Sequence, residues 1–460
     1  MKRKYKILLF ILITILILNA NVSAQVITTQ EALQDLDYLV NRLEEVHPNI
    51  YYHLSEKEAE KKLKKIRERL TEKDNWNSFE IFKLFSPFVA SFKDGHTYLS
   101  INNQFKDYYN KGGEIFPFDI KFIEDDVLIY NNYSKQDIEK DTRILSVNGI
   151  PINEIIDTVK ACISSENNSY AKAIMERNLP IYMWALFDFN GHYNLLLKGS
   201  NGYEYDVKLE GVNKEARSKN TPEPKNENWS LHFPVEGNAY LIINTFSGSL
   251  RNAFERDIDK YFEEINKRDI KNLFIDISEN GGGNTDLAKY LYEYCNDQPY
   301  SLFSEVRMKY SDYAFKNRSN SFTKLYYRLK KNEDDMLLFN STIVEPKDRN
   351  HRFNGNLYVI TSNFTFSTAT DFAAIVKDHQ AGKIIGEETG GLASCYGDII
   401  SDKLPNSKLL FGISYKYFLR PAGFDNGKGV LPDIEMDISK LKYQYDKEDF
   451  REMIIKSTVF

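Results

Sequence analysis

Four short apolar runs limit the fold of this 460-residue chain more than any other feature. Each run is followed within a few residues by glycine or by hydroxyl residues. Unbroken apolar runs of this length are typical of parallel strands buried on both faces, and helical patterns fill the sequence between them. This half of the chain therefore predicts an α/β fold. The runs are AYLIINTF (239–246), NLFIDI (272–277), NLYVIT (356–361) and KIIGEE (383–388).

The first third of the chain has a different pattern. Residues 28–92 are predicted to be helical, because TTQE (28–31) is a capping-box sequence and apolar residues then recur at helical spacing. From 116 to 160 the pattern changes to short strands, with an Asn-Gly turn in ILSVNGIPINEI. This stretch resembles the second half of a PDZ-like domain, and any small β unit with an Asn-Gly hairpin explains it equally well.

The N-terminus is predicted to be a signal peptide. Residues 1–24 combine a basic start, an apolar run and a small-residue site at Val22-Ser23-Ala24. Cleavage there would make Gln25 the first residue of the mature protein. The alternative is an uncleaved anchor, but the apolar run is short for a membrane span. We expect an exported protein, periplasmic or at the surface of a bacterial cell, without a stable membrane span after cleavage.

Composition and motifs exclude several function classes. The formal charge of −6 and the lack of a dense basic block make nucleic acid an unfavourable partner. The seven histidines form no H-E-x-x-H or similarly close metal pattern, so no metal is expected. The chain has two glycine-rich stretches, SENGGGNTD (278–286) and GFDNGKG (423–429). Neither has the glycine spacing of a dinucleotide-binding or Walker motif, so we expect no cofactor.

Two strand ends carry residues suited to nucleophilic catalysis. The sequence NGGG (280–283) follows one apolar run, and glycines there can direct several backbone N–H groups toward one point, as in an oxyanion hole. Ser367 lies between another run and a predicted helix, where the helix N-terminus favours developing negative charge. A tight strand–helix turn and a capping serine are the structural alternatives. His96 follows Asp-Gly in a turn and is the best candidate for the base.

Five segments occur in the same order as the motifs of one peptidase family: KDGHTYL, FIDISENGGGNTD, TSNFTFSTATDFA, IIGEETGG and GKGVLPDIE. Over roughly 90–440 the chain resembles the C-terminal-processing (tail-specific) serine peptidases, including their His-containing tricorn-like branch. The resemblance implies a crotonase/ClpP-like peptidase core, a PDZ-like domain and a nucleophile at Ser367. It also implies that the backbone N–H groups of Gly282 and Thr368 form the oxyanion hole.

Two positions depart from the pattern of that family. Its best-known branch uses a Ser-Lys dyad, and Leu392 occupies the place of the lysine. Because a leucine cannot accept a proton, the His-containing branch implies His96 as the general base. Ser278 stands where the oxyanion motif of the family has arginine, which leaves open how the glycine loop is braced.

An acidic side chain should orient His96, and the sequence leaves its identity open. In the tricorn-like branch an acid shortly precedes a G-V-x-P-D motif, which implies Asp425. Glu388 and Asp94 are the alternatives.

The sequence thus predicts an exported serine peptidase that acts on peptides or unfolded proteins through an acyl-enzyme. The alternatives are an inactive peptide-binding protein on the same scaffold and an esterase or other acyl hydrolase. Cleavage specificity and oligomeric state are not determined by the sequence. The expected division is a signal peptide (1–24), an N-terminal helical domain (25–108), a PDZ-like domain (109–165), a connecting segment (166–235), a peptidase core (236–440) containing a charged insertion or lid at 300–350, and a tail (441–460).

Overall fold

The computed structural model describes residues 26–219, 227–315 and 321–459. The predicted signal peptide, residues 1–24, lies outside the described residues.

The N-terminal part is helical, as the sequence predicts. Three of its helices begin with a complete capping box, at Thr28, Ser55 and Asn77. Each box satisfies backbone N–H groups of the first turn, which have no partner within the helix. In chain order the elements are β1 (Ile27–Thr28), α1 (Thr29–Val46), α2 (Glu56–Leu70), β2 (Asn75–Trp76), α3 (Ser78–Ala90), β3 (Tyr98–Ser100) and α4 (Asn102–Asn110).

An antiparallel sheet follows. Its strand order is β4-β5-β6-β8-β9, with β7 paired to β6. The predicted Asn-Gly turn is present, because Asn148 and Gly149 both have positive φ angles. The elements are β4 (Phe118–Ile123), β5 (Asp126–Asn132), β6 (Arg143–Val147), β7 (Ile150–Pro151), α5 (Ile152–Lys160), α6 (Asn168–Leu186), β8 (His192–Lys198), β9 (Glu204–Glu210) and α7 (Lys214–Lys219).

The remaining elements form two further sheets and the helices that cover them. They are β10 (Trp229–His232), β11 (Asn238–Ile243), α8 (Arg251–Lys267), β12 (Asn272–Asp276), α9 (Thr285–Tyr292), β13 (Glu305–Lys309), α10 (Asp312–Phe315), α11 (Ser321–Lys330), β14 (Met336–Asn340), β15 (Asn356–Thr361), α12 (Thr368–Asp378), β16 (Lys383–Gly386), β17 (Cys395–Lys403), β18 (Leu410–Leu419), β19 (Ile434–Glu435), α13 (Ile438–Gln444) and α14 (Lys447–Val459).

The four apolar runs form the central sheet. Its order is β10-β11-β12-β15-β16-β19, and β11, β12, β15, β16 and β19 are parallel neighbours. Strand β12 is buried along its whole length, because α8, α9 and α12 pack on one face while α13 and α14 contribute to the other. The carboxyl ends of β12 and β15 lie side by side, so the glycine loop and Ser367 emerge at the same edge.

The second sheet brings the N-terminal part to that edge. Its order is β14-β13-β18-β17, and β3 pairs antiparallel with β18. Because β3 begins two residues after His96, this pairing fixes the histidine near the end of the central sheet.

Two segments differ from their predicted character. The charged stretch 300–350 supplies β13 and β14 to the second sheet, so part of it is an integral layer. The predicted tail contains α14, whose Ile454 and Ile455 are fully buried against the central sheet. Short strands and helices with many charged residues lack a clear period, and their burial is decided by their neighbours.

Within the three described ranges, none of the helices has both the length and the apolar character needed to cross a membrane.

The buried ion pair between Arg420 and Asp378 should stabilise the end of α12. Two guanidinium nitrogens donate to the carboxylate at 2.9 and 2.6 Å, and both side chains are about 5% exposed. We expect Arg420→Met to lower the free energy of unfolding by about 3–5 kcal/mol, because it leaves a buried carboxylate without its cation. Lys267→Met removes a solvent-exposed pair with Glu263 and should cost less than about 1 kcal/mol. Urea unfolding of both variants measures the difference, and equal costs would contradict the prediction.

Candidate active site

Ser367 occupies a sharp turn between β15 and α12. Its backbone has φ 53° and ψ −130°, a region that non-glycine residues rarely adopt and that costs about 1–3 kcal/mol. The residue takes the N-cap position of α12, but its side chain makes no capping hydrogen bond. Helix capping therefore does not explain this hydroxyl.

The hydroxyl of Ser367 instead faces His96. The distance between Ser367 Oγ and His96 Nε2 is 3.0 Å, and 271 residues separate the two in sequence. His96 is 6% exposed. Burial lowers the pKa of His96 below its ordinary value, although the charges of Asp94 and Asp398 oppose this effect. A neutral imidazole beside a serine hydroxyl is the state that a general base requires.

Asp94 holds the turn that carries His96. Its carboxylate, 2% exposed, accepts hydrogen bonds from the His96 N–H (2.9 Å), His47 Nε2 (3.2 Å), the Thr97 hydroxyl (2.5 Å) and the Ser414 hydroxyl (2.6 Å). Burial alone would raise the pKa of Asp94, but His47 and the other partners hold it below its usual range.

The tautomer of His47 follows from its second partner. Because the Asn49 N–H donates to His47 Nδ1 at 3.0 Å, the ring proton must be on Nε2, which donates to Asp94. No sequence motif includes His47, so this role was not predicted.

Aromatic rings cover the other side of His96. Phe366 stacks on the imidazole with ring centres 4.6 Å apart, and Tyr170 stacks on Phe366 at 4.3 Å.

The carboxyl group of Glu166 lies near these rings, and the Gly95 N–H donates to its Oε1 at 3.1 Å. Burial and the charge of Asp94 raise the pKa of Glu166 to about 8. Neither Tyr170 nor Glu166 belongs to a sequence motif, so sequence analysis did not identify them.

The glycine loop contacts the turn of Ser367 directly. A Cβ atom on Gly282, whose φ is +100°, would lie 2.7 Å from the Cβ of Ser367. The Thr368 hydroxyl donates to the Gly283 carbonyl at 2.9 Å, and the Phe366 N–H donates to the Asn280 carbonyl at 3.1 Å. The loop and the turn therefore fix each other.

The two predicted oxyanion donors differ in their surroundings. Thr368 is the first residue of α12, so its N–H has no acceptor within the helix. The Gly282 N–H, in contrast, donates to Asn280 Oδ1 at 2.8 Å. The expectation that it is a free donor is therefore not met in this structure, and the side chain of Asn280 would have to yield to an oxyanion.

A lysine braces the glycine loop beside Ser278, the residue that stands where the family motif has arginine. Lys442, on α13, lies 3.3 Å from Asp276 Oδ2 and also donates to the hydroxyl of Ser278. That hydroxyl donates in turn to Asp276. The positive charge is thus supplied by a residue more than 160 positions away, which no local motif could reveal.

The structure places Asp425 and Glu388 in other interactions. Asp425 is exposed and accepts hydrogen bonds from the Tyr417 hydroxyl (2.7 Å) and the Gly427 N–H (2.8 Å). Glu388 accepts from the Gly429 N–H at 2.8 Å. Both carboxylates order their own loops, so the structure differs from the expectation that one of them orients His96. Asp94 Oδ1 is 3.9 Å from His96 Nδ1, beyond hydrogen-bond distance.

Asp94, His96 and Glu166 also form a group whose donor atoms lie within 4.8 Å of one another. Such a group could in principle hold a cation. However, the oxygens of Asp94 already accept four hydrogen bonds, and His96 Nε2 faces Ser367. We therefore assign the group to hydrogen bonding around the imidazole.

Comparison with known proteins shows similarity to one peptidase family. The model of Peptidase family S41 matches residues 237–436. The Tail-specific protease of Haemophilus influenzae is 24% identical over 202 residues, which are 42% of this chain and 24% of that protein. The match thus spans about a quarter of the length of the curated relative. Proteins of family S41 are serine-type hydrolases.

Solved structures share the fold. The structure of mature CPAF complexed with lactacystin superposes with a TM-score of 0.68 at 15% identity, covering 93% of this chain and 97% of the other. Mature CPAF gives a TM-score of 0.67 at 15% identity, with 93% and 96% covered. At these identities the similarity shows the fold alone.

Gly282→Ala tests the contact between the glycine loop and the nucleophile turn. The added methyl group has no room beside Ser367, and the positive φ disfavours alanine. If the protein hydrolyses peptides, kcat/KM should fall on the order of 10²-fold or more, as when an oxyanion donor is lost. Gly281→Ala is the matched control, because its Cβ would meet its closest neighbour, Phe364, at an ordinary 3.5 Å. Equal activity of the two variants would contradict the prediction.

Proposed function

Because the model of Peptidase family S41 matches residues 237–436, we propose that the chain is a serine peptidase that hydrolyses peptide bonds through an acyl-enzyme on Ser367. The observation that carries the proposal is the 3.0 Å distance between Ser367 Oγ and His96 Nε2 at the start of a helix. An intact hydroxyl–imidazole pair supports an active enzyme over a binding protein that has lost its catalytic residues.

The first step is attack of Ser367 on the peptide carbonyl. His96 Nε2 accepts the hydroxyl proton as the O–C bond forms, and the resulting imidazolium later donates that proton to the leaving amine. The lowered pKa of His96 supports this role, because the imidazole stays neutral and able to accept a proton near neutral pH. Water then attacks the acyl-enzyme, with His96 again acting as the base.

The carbonyl oxygen becomes negatively charged during attack. The Thr368 N–H, at the positive end of the α12 dipole, is available to stabilise this oxyanion. Gly282 would supply the second donor after its N–H exchanges the Asn280 side chain for the substrate.

The substrate in this proposal is a peptide or an unfolded protein segment. The sheet β4–β9 would act as a PDZ-like unit that engages the carboxyl end of the substrate. On the edge strand β4, one backbone N–H is not available for pairing with a peptide, because the Phe122 N–H donates to Glu176 Oε1 at 2.9 Å. Strand addition along β4 would therefore have to begin beyond this residue or displace Glu176.

Covalent labelling with a fluorophosphonate probe tests the nucleophile. We expect the wild-type protein to be labelled and to hydrolyse unstructured peptides, and Ser367→Ala to lose both properties. His96→Ala should lower kcat on the order of 10²- to 10⁴-fold, because the hydroxyl loses its base. Ser341→Ala is the control, because Ser341 is exposed, and its labelling and peptide hydrolysis should equal those of the wild type.

Labelling of Ser367→Ala at the wild-type rate would contradict the assignment of the nucleophile. Full hydrolytic activity of His96→Ala would contradict the assignment of the base. A protein that hydrolyses esters but no peptide in a broad library would point to the acyl-hydrolase alternative.

We further propose that the protein is exported to the periplasm or surface of a bacterial cell. The support is the sequence of residues 1–24, with its basic start, apolar run and small-residue site. N-terminal sequencing of the protein recovered from an expressing bacterium should give Gln25 as the first residue. Recovery of an intact Met1 N-terminus in the cytosolic fraction would contradict export.

A further inference from the structure

Two buried polar atoms beside the active site make no hydrogen bond in the described part of the chain. They are His96 Nδ1 and Glu166 Oε2. The backbone of Tyr396 lies near the imidazole and favours its protonated form, so it is the competing acceptor for the Nδ1–H group. If Nε2 accepts the proton of Ser367, Nδ1 must carry a hydrogen and act as a donor, whereas a carboxylate oxygen is an acceptor. Leaving a buried polar group unsatisfied costs about 1–3 kcal/mol, so a complementary pair of such atoms is informative.

Asp94 is a poor partner for Nδ1 although it is the nearest carboxylate. Its Oδ1 lies 3.9 Å from Nδ1 and already accepts the His96 N–H. Its Oδ2 accepts from His47, Thr97 and Ser414. Moving Asp94 to reach Nδ1 would break several buried hydrogen bonds.

Glu166 lies close to the imidazole, and its Oε2 makes no hydrogen bond to a described residue. One oxygen from Glu166, one from Asp94 and one ring nitrogen of His96 lie within 4.8 Å of one another. The other oxygen, Oε1, is anchored by the Gly95 N–H at 3.1 Å. Rotation of the carboxylate about this anchor changes the position of Oε2 without disturbing Asp94.

The segment 166–170 is attached to the active site at three points. Besides the contact of Glu166 with Gly95, the Asn167 amide donates to the Gly390 carbonyl at 3.0 Å. Tyr170 stacks on Phe366, which stacks on the imidazole of His96. A segment from the beginning of α6 is therefore held over both the histidine turn and the nucleophile turn.

We propose that Glu166 is the acidic positioning residue of His96, a role for which the sequence left Asp425, Glu388 and Asp94 as candidates. In the reacting enzyme the Nδ1–H group of His96 donates to Oε2 of Glu166, which fixes the tautomer with Nε2 facing Ser367. This inference rests on the proposed function.

The charge balance of the reaction supports the pairing. When the O–H bond of Ser367 breaks and the proton moves to Nε2, His96 becomes a cation inside a buried site. An ionised Glu166 stabilises that cation, and the proton stays on the imidazole until the leaving amine accepts it. Because burial and the charge of Asp94 raise the pKa of Glu166 to about 8 in the resting enzyme, its carboxyl group is mostly protonated near neutral pH. We therefore expect kcat to rise as the pH passes that value and Glu166 ionises.

The titratable groups around Glu166 are few. Asp94 and His96 face it from the histidine turn, Tyr170 lies on α6, and Cys395 lies at the start of β17. Burial raises the pKa of both the Tyr170 hydroxyl and the Cys395 thiol, so neither ionises near neutral pH. Asp371 on α12, whose N–H donates to the Ser367 carbonyl, is a further buried carboxyl, and burial and Asp398 raise its pKa to about 7. Only a kinetic group near pH 8 that disappears with Glu166 is therefore assigned to Glu166.

Glu166→Gln tests the proposal, because the glutamine amide oxygen can still accept the Gly95 N–H but the side chain carries no negative charge. We expect kcat to fall on the order of 10²- to 10⁴-fold with KM little changed, and the pH profile to lose the limb due to Glu166. A low-field proton resonance, typical of imidazole N–H donating to a carboxylate, should be present in wild type and absent in the variant. Glu166→Asp, which keeps the negative charge, should retain part of kcat and of the low-field resonance.

Glu263→Gln is the control. Glu263 pairs with Lys267 on the solvent-exposed surface of α8, so its loss should change neither kcat, the pH profile nor the resonance. Thermal unfolding of each variant checks that the fold is retained, and Glu166→Asp serves if Glu166→Gln does not fold.

The outcomes separate this inference from the proposed function. Wild-type kcat and pH profile in Glu166→Gln would overturn the role of Glu166 while the nucleophile and base stand. A lower kcat with the resonance and pH limb unchanged would mean a structural role only, and would also overturn it. If wild-type protein hydrolyses no peptide, the proposed function fails, and the resonance still decides whether Glu166 pairs with His96.

Discussion

The site depends on one hydrogen bond that joins two sheets. Ser367 lies at the end of β15 in the central parallel sheet, whereas His96 precedes β3, which pairs with β18 of the second sheet. The 3.0 Å distance between their side chains therefore exists only when both sheets are packed together. Because interiors are close-packed, a shift of either sheet would change the distance between nucleophile and base. This explains why the buried polar network around Asp94 connects the histidine turn to β18 through Ser414.

The polar groups around His96 are satisfied unequally. Asp94 accepts four hydrogen bonds and stays ionised, which fixes the backbone of the turn. In contrast, His96 Nδ1 and Glu166 Oε2 are buried and make no hydrogen bond within the described part of the chain. A fully satisfied anion suits a structural role, whereas an unsatisfied donor and acceptor suit groups whose charges change during a reaction.

Much of the fold was predictable from local patterns. The helices Thr29–Val46, Glu56–Leu70 and Ser78–Ala90 follow from capping boxes and helical periodicity, and the apolar runs follow from burial on both faces. The predictions were poorer for 300–350 and 441–460, where the strands β13 and β14 and the helix α14 have no strong period. Their secondary structure and burial depend on the layer that each element packs against. Ser367 and His96 were recognisable because motifs surround both.

The sequence by itself determined which residues can react, because glycine, serine and histidine at strand ends have the required backbone freedom and side-chain chemistry. Only the tertiary structure decided which residues support them. Lys442, His47 and Glu166 reach the site from α13, the end of α1 and the segment just before α6. Asp425 and Glu388, although closer to the motifs, bind their own loops. A supporting residue acts through charge and hydrogen bonding at a few ångströms, and that distance is set by packing between elements rather than by spacing along the chain.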